Sequence, residues 1–334
     1  MTKEQFSNWY DKNYKKLLVL PILILLFSLS YIAFFYYQNN DIIRKDVSLT
    51  GGTTITIFSQ VPVSEIQQIL SSEFSDLSIR ALSDNTGKQT QLIITVSDQN
   101  PDKLKSALEK YLGYELTEDN SSTEFTGSSL SQDFYKQLRL ALVLAFLLMA
   151  LVVFLIYAKG IKPRLIVILV TFITFLTTRL SSTIALIFTL IGIILLIYLY
   201  IKYSVPSFAV VLSAFADITM TLAFVNLIGI KVSTAGIVAF LMLIGYSVDT
   251  DVLLTTRMLK RKENTNTALY GAFKTGITMT LTSIAAIAAA LFFIYSISDV
   301  LGQIFTILLI GLFFDIFNTW ITNASIIKWY IERK

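Results

Sequence analysis

The sequence predicts a polytopic α-helical membrane protein that carries one small α+β domain, and three observations lead there. Hydrophobic residues make up 54% of the 334 positions, and several uninterrupted apolar runs reach the roughly 20 residues a helix needs to cross about 30 Å of hydrocarbon. A single polar block, 38–136, separates the first run from the rest. Lys and Arg gather at the ends of the runs in alternate loops, the pattern that membrane topology imposes.

Residues 1–16 form a charged lead containing Lys12, Lys15 and Lys16, and 17–37 is the first span. This run is longer than a signal-peptide core and no small-x-small cleavage site follows it, so it reads as a retained anchor. A helical bundle, 137–330, follows the polar block, with spans at 137–157, 165–178, 182–201, 207–230, 233–256, 268–295 and 300–321. The run 165–178 is short, so the apolar hairpin at about 159–202 is either two spans or one re-entrant loop. Lys159, Lys162 and Arg164, then Lys202, then Arg257, Lys260, Arg261 and Lys262 share one side, whereas the opposite loops hold Arg179, Lys231 and Asp299. Both termini are therefore expected in the cytoplasm, with the polar block exterior to the cell membrane.

Within that block, 53–58 alternates as a strand and Ser64-Glu-Ile-Gln67 opens a helix running to Phe74. Strands at 78–82 and 91–96 flank a turn at Asp84-Asn-Thr-Gly87, Pro101 starts a helix to Tyr111, and 114–117 supplies a last short strand. The order β-α-β-β-α-β is the ferredoxin-like arrangement. The block has no nucleophile–base pair, and acids such as Asp76, Glu109 and Glu118 read as a solvated face, so binding or positioning is its expected task.

The net charge of +4 lies at helix ends and forms no basic groove, which argues against nucleic acid as a partner. With no Cys and no His, disulfides, thiol nucleophiles, imidazole bases and most zinc sites are excluded, and no cofactor or metal is implied. Proton chemistry falls to carboxylates. Asp217 and, in Gly245-Tyr-Ser-Val-Asp-Thr-Asp251, Asp249 and Asp251 interrupt apolar spans. Each costs about 2.5–3.5 kcal/mol at a membrane centre on insertion scales, so such acids line a polar path, pair with a base or carry protons. Asp249 and Asp251 lie about 200° apart on a helix and cannot share a face. The expected functional pair is Asp217 with Asp249; Asp251 then faces another helix or caps a local break at Gly245-Tyr-Ser. Arg257 either modulates an acid on a neighbouring helix or is a topological charge. Asp315, Asn318, Thr319 and Thr322 share one face, on which only Asp315 can ionise, and Thr275, Thr278 and Thr282 form a packing stripe.

These residues resemble a known family, the archaeal form of the SecF subunit of the SecD–SecF protein-export membrane complex, related to the RND superfamily. The resemblance lies in Val205-Pro-Ser-Phe-Ala-Val-Val-Leu-Ser-Ala-Phe-Ala-Asp217, in 227–251, in Leu253-Leu-Thr-Thr-Arg-Met-Leu-Lys260, in Gly271-Ala-Phe-Lys-Thr-Gly-Ile-Thr-Met-Thr280 and in Thr319-Trp-Ile-Thr-Asn-Ala-Ser325. Leu49-Thr-Gly51-Gly52-Thr53 is similar to the family's Asp-aromatic-x-Gly-Gly-Thr signature, with Ser48 where Asp is usual. The apolar hairpin departs from the family's usual six spans. The resemblance implies a non-enzymatic accessory subunit working with a SecD-like subunit beside the Sec translocon on exported polypeptides. It also implies coupling of ion or proton movement, with Asp217 and Asp249 as the family's intramembrane acids. Two alternatives share the bundle: an RND-type small-molecule or lipid exporter subunit, and a translocon scaffold without an ion pathway. Aspartyl protease chemistry is disfavoured, because Gly-x-Gly-Asp and Tyr-Asp motifs are missing at these acids.

Overall fold

The computed structural model describes residues 3–333 apart from 75, 76, 85, 87, 99, 181, 182, 261–264 and 296, together with the side chains of 3–9 and 183. Asp76, part of the 84–87 turn, and Arg261 and Lys262 thus lie outside the described residues. The charged lead is helical: α1 (Lys3–Leu17) runs almost directly into α2 (Val19–Asn39). Asn40 ends α2 in the left-handed region at φ 53°, donating its N–H to Tyr36 O. The chain then turns back through α3 (Val47–Thr50) into the α+β domain.

That domain comprises β1 (Gly52–Ile57), α4 (Val63–Leu70), β2 (Ser78–Ser83), β3 (Gln89–Val96), α5 (Pro101–Leu112) and β4 (Ser121–Thr126). The sheet order is β2-β3-β1-β4 with antiparallel pairing throughout, the ferredoxin-like topology expected from the element order. Alternation explains the layers: Ile55, Ile57, Leu92 and Ile94 point to one face, where Ile66, Leu70, Leu104 and Leu108 of the two helices cover them. Asn100 caps α5 by accepting from Asp102 N at 3.1 Å, and Pro101 sits at its first turn.

The last strand is a correction. Residues 114–117 are not a strand: Leu116 N donates to Glu109 Oε1 and Asn120 closes a turn onto Thr117 N, while the strand forms at Ser121–Thr126. An edge strand pairs on one side only and buries little, so Ser-Ser-Thr-Glu-Phe-Thr lacks the apolar alternation that marks its neighbours.

Gly51 and Gly52 have a steric reason. At φ +86°, a Cβ on Gly51 would lie 2.5 Å from Ser128 Cα; at φ +149°, one on Gly52 would lie 2.3 Å from Val96 O. The pair is where the strand entering the domain crosses the segment leaving it. Thr53 buries its hydroxyl against Asp98 O at 3.0 Å. Ser48 Oγ, standing at the signature's usual Asp, accepts from Thr234 N at 3.2 Å.

The bundle contains α6 (Ser128–Tyr157), α7 (Ile161–Thr178), α8 (Thr183–Tyr203), α9 (Val205–Leu227), α10 (Thr234–Lys260), α11 (Thr265–Ile294) and α12 (Asp299–Phe317). A π-helical turn at Asn318–Asn323 and α13 (Ala324–Glu332) complete it. Among the described residues, eight helical segments are long and apolar enough to cross a membrane, α7 and α8 being separate members of the set. These two pack closely because Gly192 admits Thr174: a Cβ on Gly192 would meet Thr174 Oγ1 at 2.2 Å. Thr189 also donates to Thr177 at 2.8 Å.

The domain is stitched to the bundle. Val232 N donates to Arg44 O at 2.6 Å, Asp46 N donates to Val232 O at 2.9 Å, and the buried Asn226 of α9 donates to Ile42 O at 2.7 Å. Tyr135 OH donates to Asp41 Oδ1 at 2.5 Å, and Arg80 reaches Asp299 at 2.8 Å. Burial disfavours the Asp41 carboxylate, but hydrogen bonds from Tyr135, Lys45 and Ile42 N outweigh it and hold the carboxyl below its ordinary value. At the opposite end, Lys328 is buried on α13 and binds Asp11 and Asn266, and Tyr14 OH donates to Glu332 at 2.5 Å, so α1 is clamped to the last helix.

Candidate functional site

The polar residues of three helices meet in one fully buried layer. Asp217 of α9, Asp251 of α10 and Asp315 of α12 each have no exposed surface. Asp217 accepts from Ser247 Oγ through Oδ2 at 2.5 Å and from Asn318 Nδ2 through Oδ1 at 2.7 Å. Asp251 Oδ1 accepts from Asn323 Nδ2 at 2.8 Å. Asp315 accepts from Thr319 at 3.1 Å and from Thr250 at 3.5 Å. The three carboxyls lie within electrostatic reach of one another.

Local sequence explains the placement. Ser247, Thr250, Asp251, Leu254 and Thr255 recur at helical spacing and form the buried face of α10. Asp315, Asn318, Thr319 and Thr322 do the same on α12 and its extension, as their spacing predicts. Small residues let the helices close in: a Cβ on Gly311 would strike Leu243 at 2.5 Å, and one on Gly276 would strike the Trp320 ring at 2.5 Å.

One expected placement is corrected, and two open alternatives are narrowed. Asp249 does not face Asp217; it is exposed, on the same side of α10 as Val238, Met242 and Tyr246, and makes no hydrogen bond or ion pair among the described residues. The inward partner is Asp251, which does face another helix, and the 200° separation of the two acids is what divides them. The spacing of Ser247 and Asp251 carried that signal. No break occurs at Gly245-Tyr-Ser, since α10 is continuous. Arg257 lies about 9 Å beyond Asp251 along the axis and donates at 2.8 Å to both Gly271 O and Thr275 Oγ1, tying α10 to α11; it pairs with no acid among the described residues. Thr278 and Thr282 bond carbonyls of their own helix.

The π-helical turn was not anticipated. Residues five apart on an α-helix point about 140° away from each other, whereas an i→i+5 turn brings them toward one face. Asn318 and Asn323 are five apart, and each donates to a different buried carboxylate. Among the described residues, Asp251 Oδ2, Ser213 Oγ and Thr221 Oγ1 are buried without a hydrogen bond of ordinary length and angle, Ser213 lying beside the Asp251 carboxyl. Among the described residues no Lys or Arg side chain bonds any of the three acids. Isolated buried carboxylates are costly, so charge in such a layer needs a compensating positive charge.

This is a multi-pass helical membrane protein with a ferredoxin-like domain and a carboxylate layer inside its bundle. The model of the family described as protein export membrane protein SecD/SecF, C-terminal, matches residues 176–333. The chain is 33% identical over 329 residues to the protein-export membrane protein SecF of Methanocaldococcus jannaschii, covering 96% of this chain and 97% of that one. With SecF of Methanothermobacter thermautotrophicus, identity is 31% over 327 residues, covering 96% and 94%. With SecF of Pyrococcus furiosus, it is 44% over 151 residues, covering 45% and 50%. Among solved structures, SecDF of Thermus thermophilus, a translocon-associated membrane protein, matches with a TM-score of 0.58 at 14% identity. That match covers 96% of this chain and 38% of the longer one, and it bears on fold alone. The chain belongs to the SecF family of protein-export membrane proteins.

Proposed function

We propose that the chain works with a SecD-like subunit beside the Sec translocon, using the Asp217–Asp251–Asp315 layer to couple ion or proton movement to the passage of exported polypeptide. The observation that carries this reading is three buried carboxyls, held by amides and hydroxyls and answered by no base among the described residues. Occupancy of such a layer by protons or a cation changes which helix packing is preferred, and coupling requires only that difference. The end of α9, through Asn226, and the segment joining α9 to α10, through Val232, hold the stem of the domain, so a shift between these helices reaches the domain directly.

The outward face of α10 supports the partner. A carboxyl at Asp249 facing hydrocarbon is costly, and a second subunit against that face removes the cost and completes the pathway. Arg257 then serves packing. In this arrangement both termini are cytoplasmic, 38–136 is exterior, and exported chains meet the ferredoxin-like domain. The test is proteoliposomes containing the chain with its SecD-like partner under an imposed pH or sodium gradient. Flux lost in Asp217→Asn and Asp251→Asn, at unchanged assembly, supports the coupling; equal flux in these variants leaves a scaffold role.

A further inference from the structure

On the domain side of the bundle, where topology leaves few cations, three of them converge. A cavity of about 340 Å³ at the end of α2 is lined by Arg44, Lys45 and Lys231, with Tyr31, Phe34 and Phe35 as its apolar wall. The backbone forces the convergence. The left-handed turn at Asn40 folds the chain back, and the Arg44 O to Val232 N bond and the Lys45–Val232 bridge set Lys231 beside Arg44 and Lys45. The Arg44 guanidinium stands over the Phe35 ring at 5.6 Å.

These charges are poorly answered by the protein. Lys45 pairs with Asp41 at 3.0 Å, whereas Arg44 and Lys231 make no ion pair among the described residues. The carbonyl end of α2 contributes only about half a negative charge. The cavity is therefore net positive, and Gln38 and Asn39 add amide groups to its lining. Tyr31 and Phe34 descend from it along the face of α2 turned to the membrane, Phe34 being exposed. A cationic pocket above an aromatic wall at the end of a spanning helix matches a ligand with an anionic head and hydrocarbon tails.

The geometry points to a binding site for the phosphate of an anionic membrane lipid, held by Arg44 and Lys231 with its acyl chains along Tyr31 and Phe34. The site lies apart from the carboxylate layer and does not depend on the coupling proposed for it.

The test uses the purified full chain in nanodiscs of mixed phosphatidylglycerol and phosphatidylcholine, with retained lipid read by native mass spectrometry. The wild type is expected to enrich the anionic lipid roughly ten-fold, and Arg44→Gln with Lys231→Gln to abolish the enrichment. Lys110→Gln, on α5, is expected to leave it intact. The charge-preserving pair Arg44→Lys and Lys231→Arg is expected to retain it, which separates loss of charge from loss of folding. Equal enrichment in the Gln variant, or loss in the charge-preserving one, overturns the site. Inorganic phosphate serves as a separate probe: enrichment that survives millimolar phosphate supports a lipid, and displacement by phosphate without lipid preference overturns the lipid assignment.

Discussion

The two faces of α10 carry one aspartate each, two residues apart, and give them opposite surroundings. Inward, Asp251 lies among Ser247, Thr250 and Thr255 and is met by Asn323 from the π-helical turn. Outward, Asp249 shares an apolar, exposed side with Val238, Met242 and Tyr246. Depth in the membrane is nearly the same for both. What differs is the neighbour each helix face is given, so a carboxyl's role is set by the helix packed against it more than by its own position in a hydropathy profile.

The largest effects are expected at the inward face. Asn323→Ala removes the donor to Asp251 and leaves a buried carboxyl unanswered, with an expected loss of about 1–3 kcal/mol in reversible unfolding of the purified protein. Stability unchanged by this substitution would mean that Asp251 is not held as described. Gly276→Ala drives a methyl into the ring of Trp320, which belongs to the same turn. A cost of about 1–2 kcal/mol is expected from overpacking, read as a lower thermal midpoint.

Smaller effects lie outside both faces and serve as a scale. Arg80→Gln breaks an exposed pair with Asp299 and should cost only about 0.2–1 kcal/mol, with partial rescue in the Arg80→Asp, Asp299→Arg exchange. Asp41 offers a pH test. Its carboxyl is depressed in the folded state, so its contribution is complete above the ordinary carboxylate value and is lost as pH falls through its folded value, below about pH 4. Protection of the Asp46 and Val232 amides against hydrogen exchange, relative to the intrinsic rate at each pH, should fall there, and protection that stays flat would detach Asp41 from the stem. The smallest effect is at the outward face: Asp249→Leu should leave the isolated chain within about 0.5 kcal/mol of wild type, while weakening co-purification with a SecD-like partner. A large loss of stability in the isolated chain would give Asp249 an inward role.

Much of this was legible in the sequence, because hydropathy and period-two alternation are local. The spans, the ferredoxin-like order and the shared face of Asp315, Asn318, Thr319 and Thr322 all follow from spacing. The edge strand β4 escaped because an edge needs no apolar alternation. The choice between Asp249 and Asp251 was readable from Ser247 four residues before Asp251, yet it depended on which face α9 and α12 cover, a tertiary fact. The π-helical turn left no local signal: Asn318 and Asn323 look like residues on different faces until the helix widens between them.

The inward acid Asp251, and not the outward Asp249, belongs with Asp217 in the layer proposed to work in export. Secretion of a reporter in cells carrying Asp251→Asn, with Asp217→Asn beside it and with chain abundance and partner association followed in the same samples, tests it most directly. A roughly ten-fold or greater loss of export is expected in both variants at normal abundance and assembly. Normal export in Asp251→Asn would contradict it.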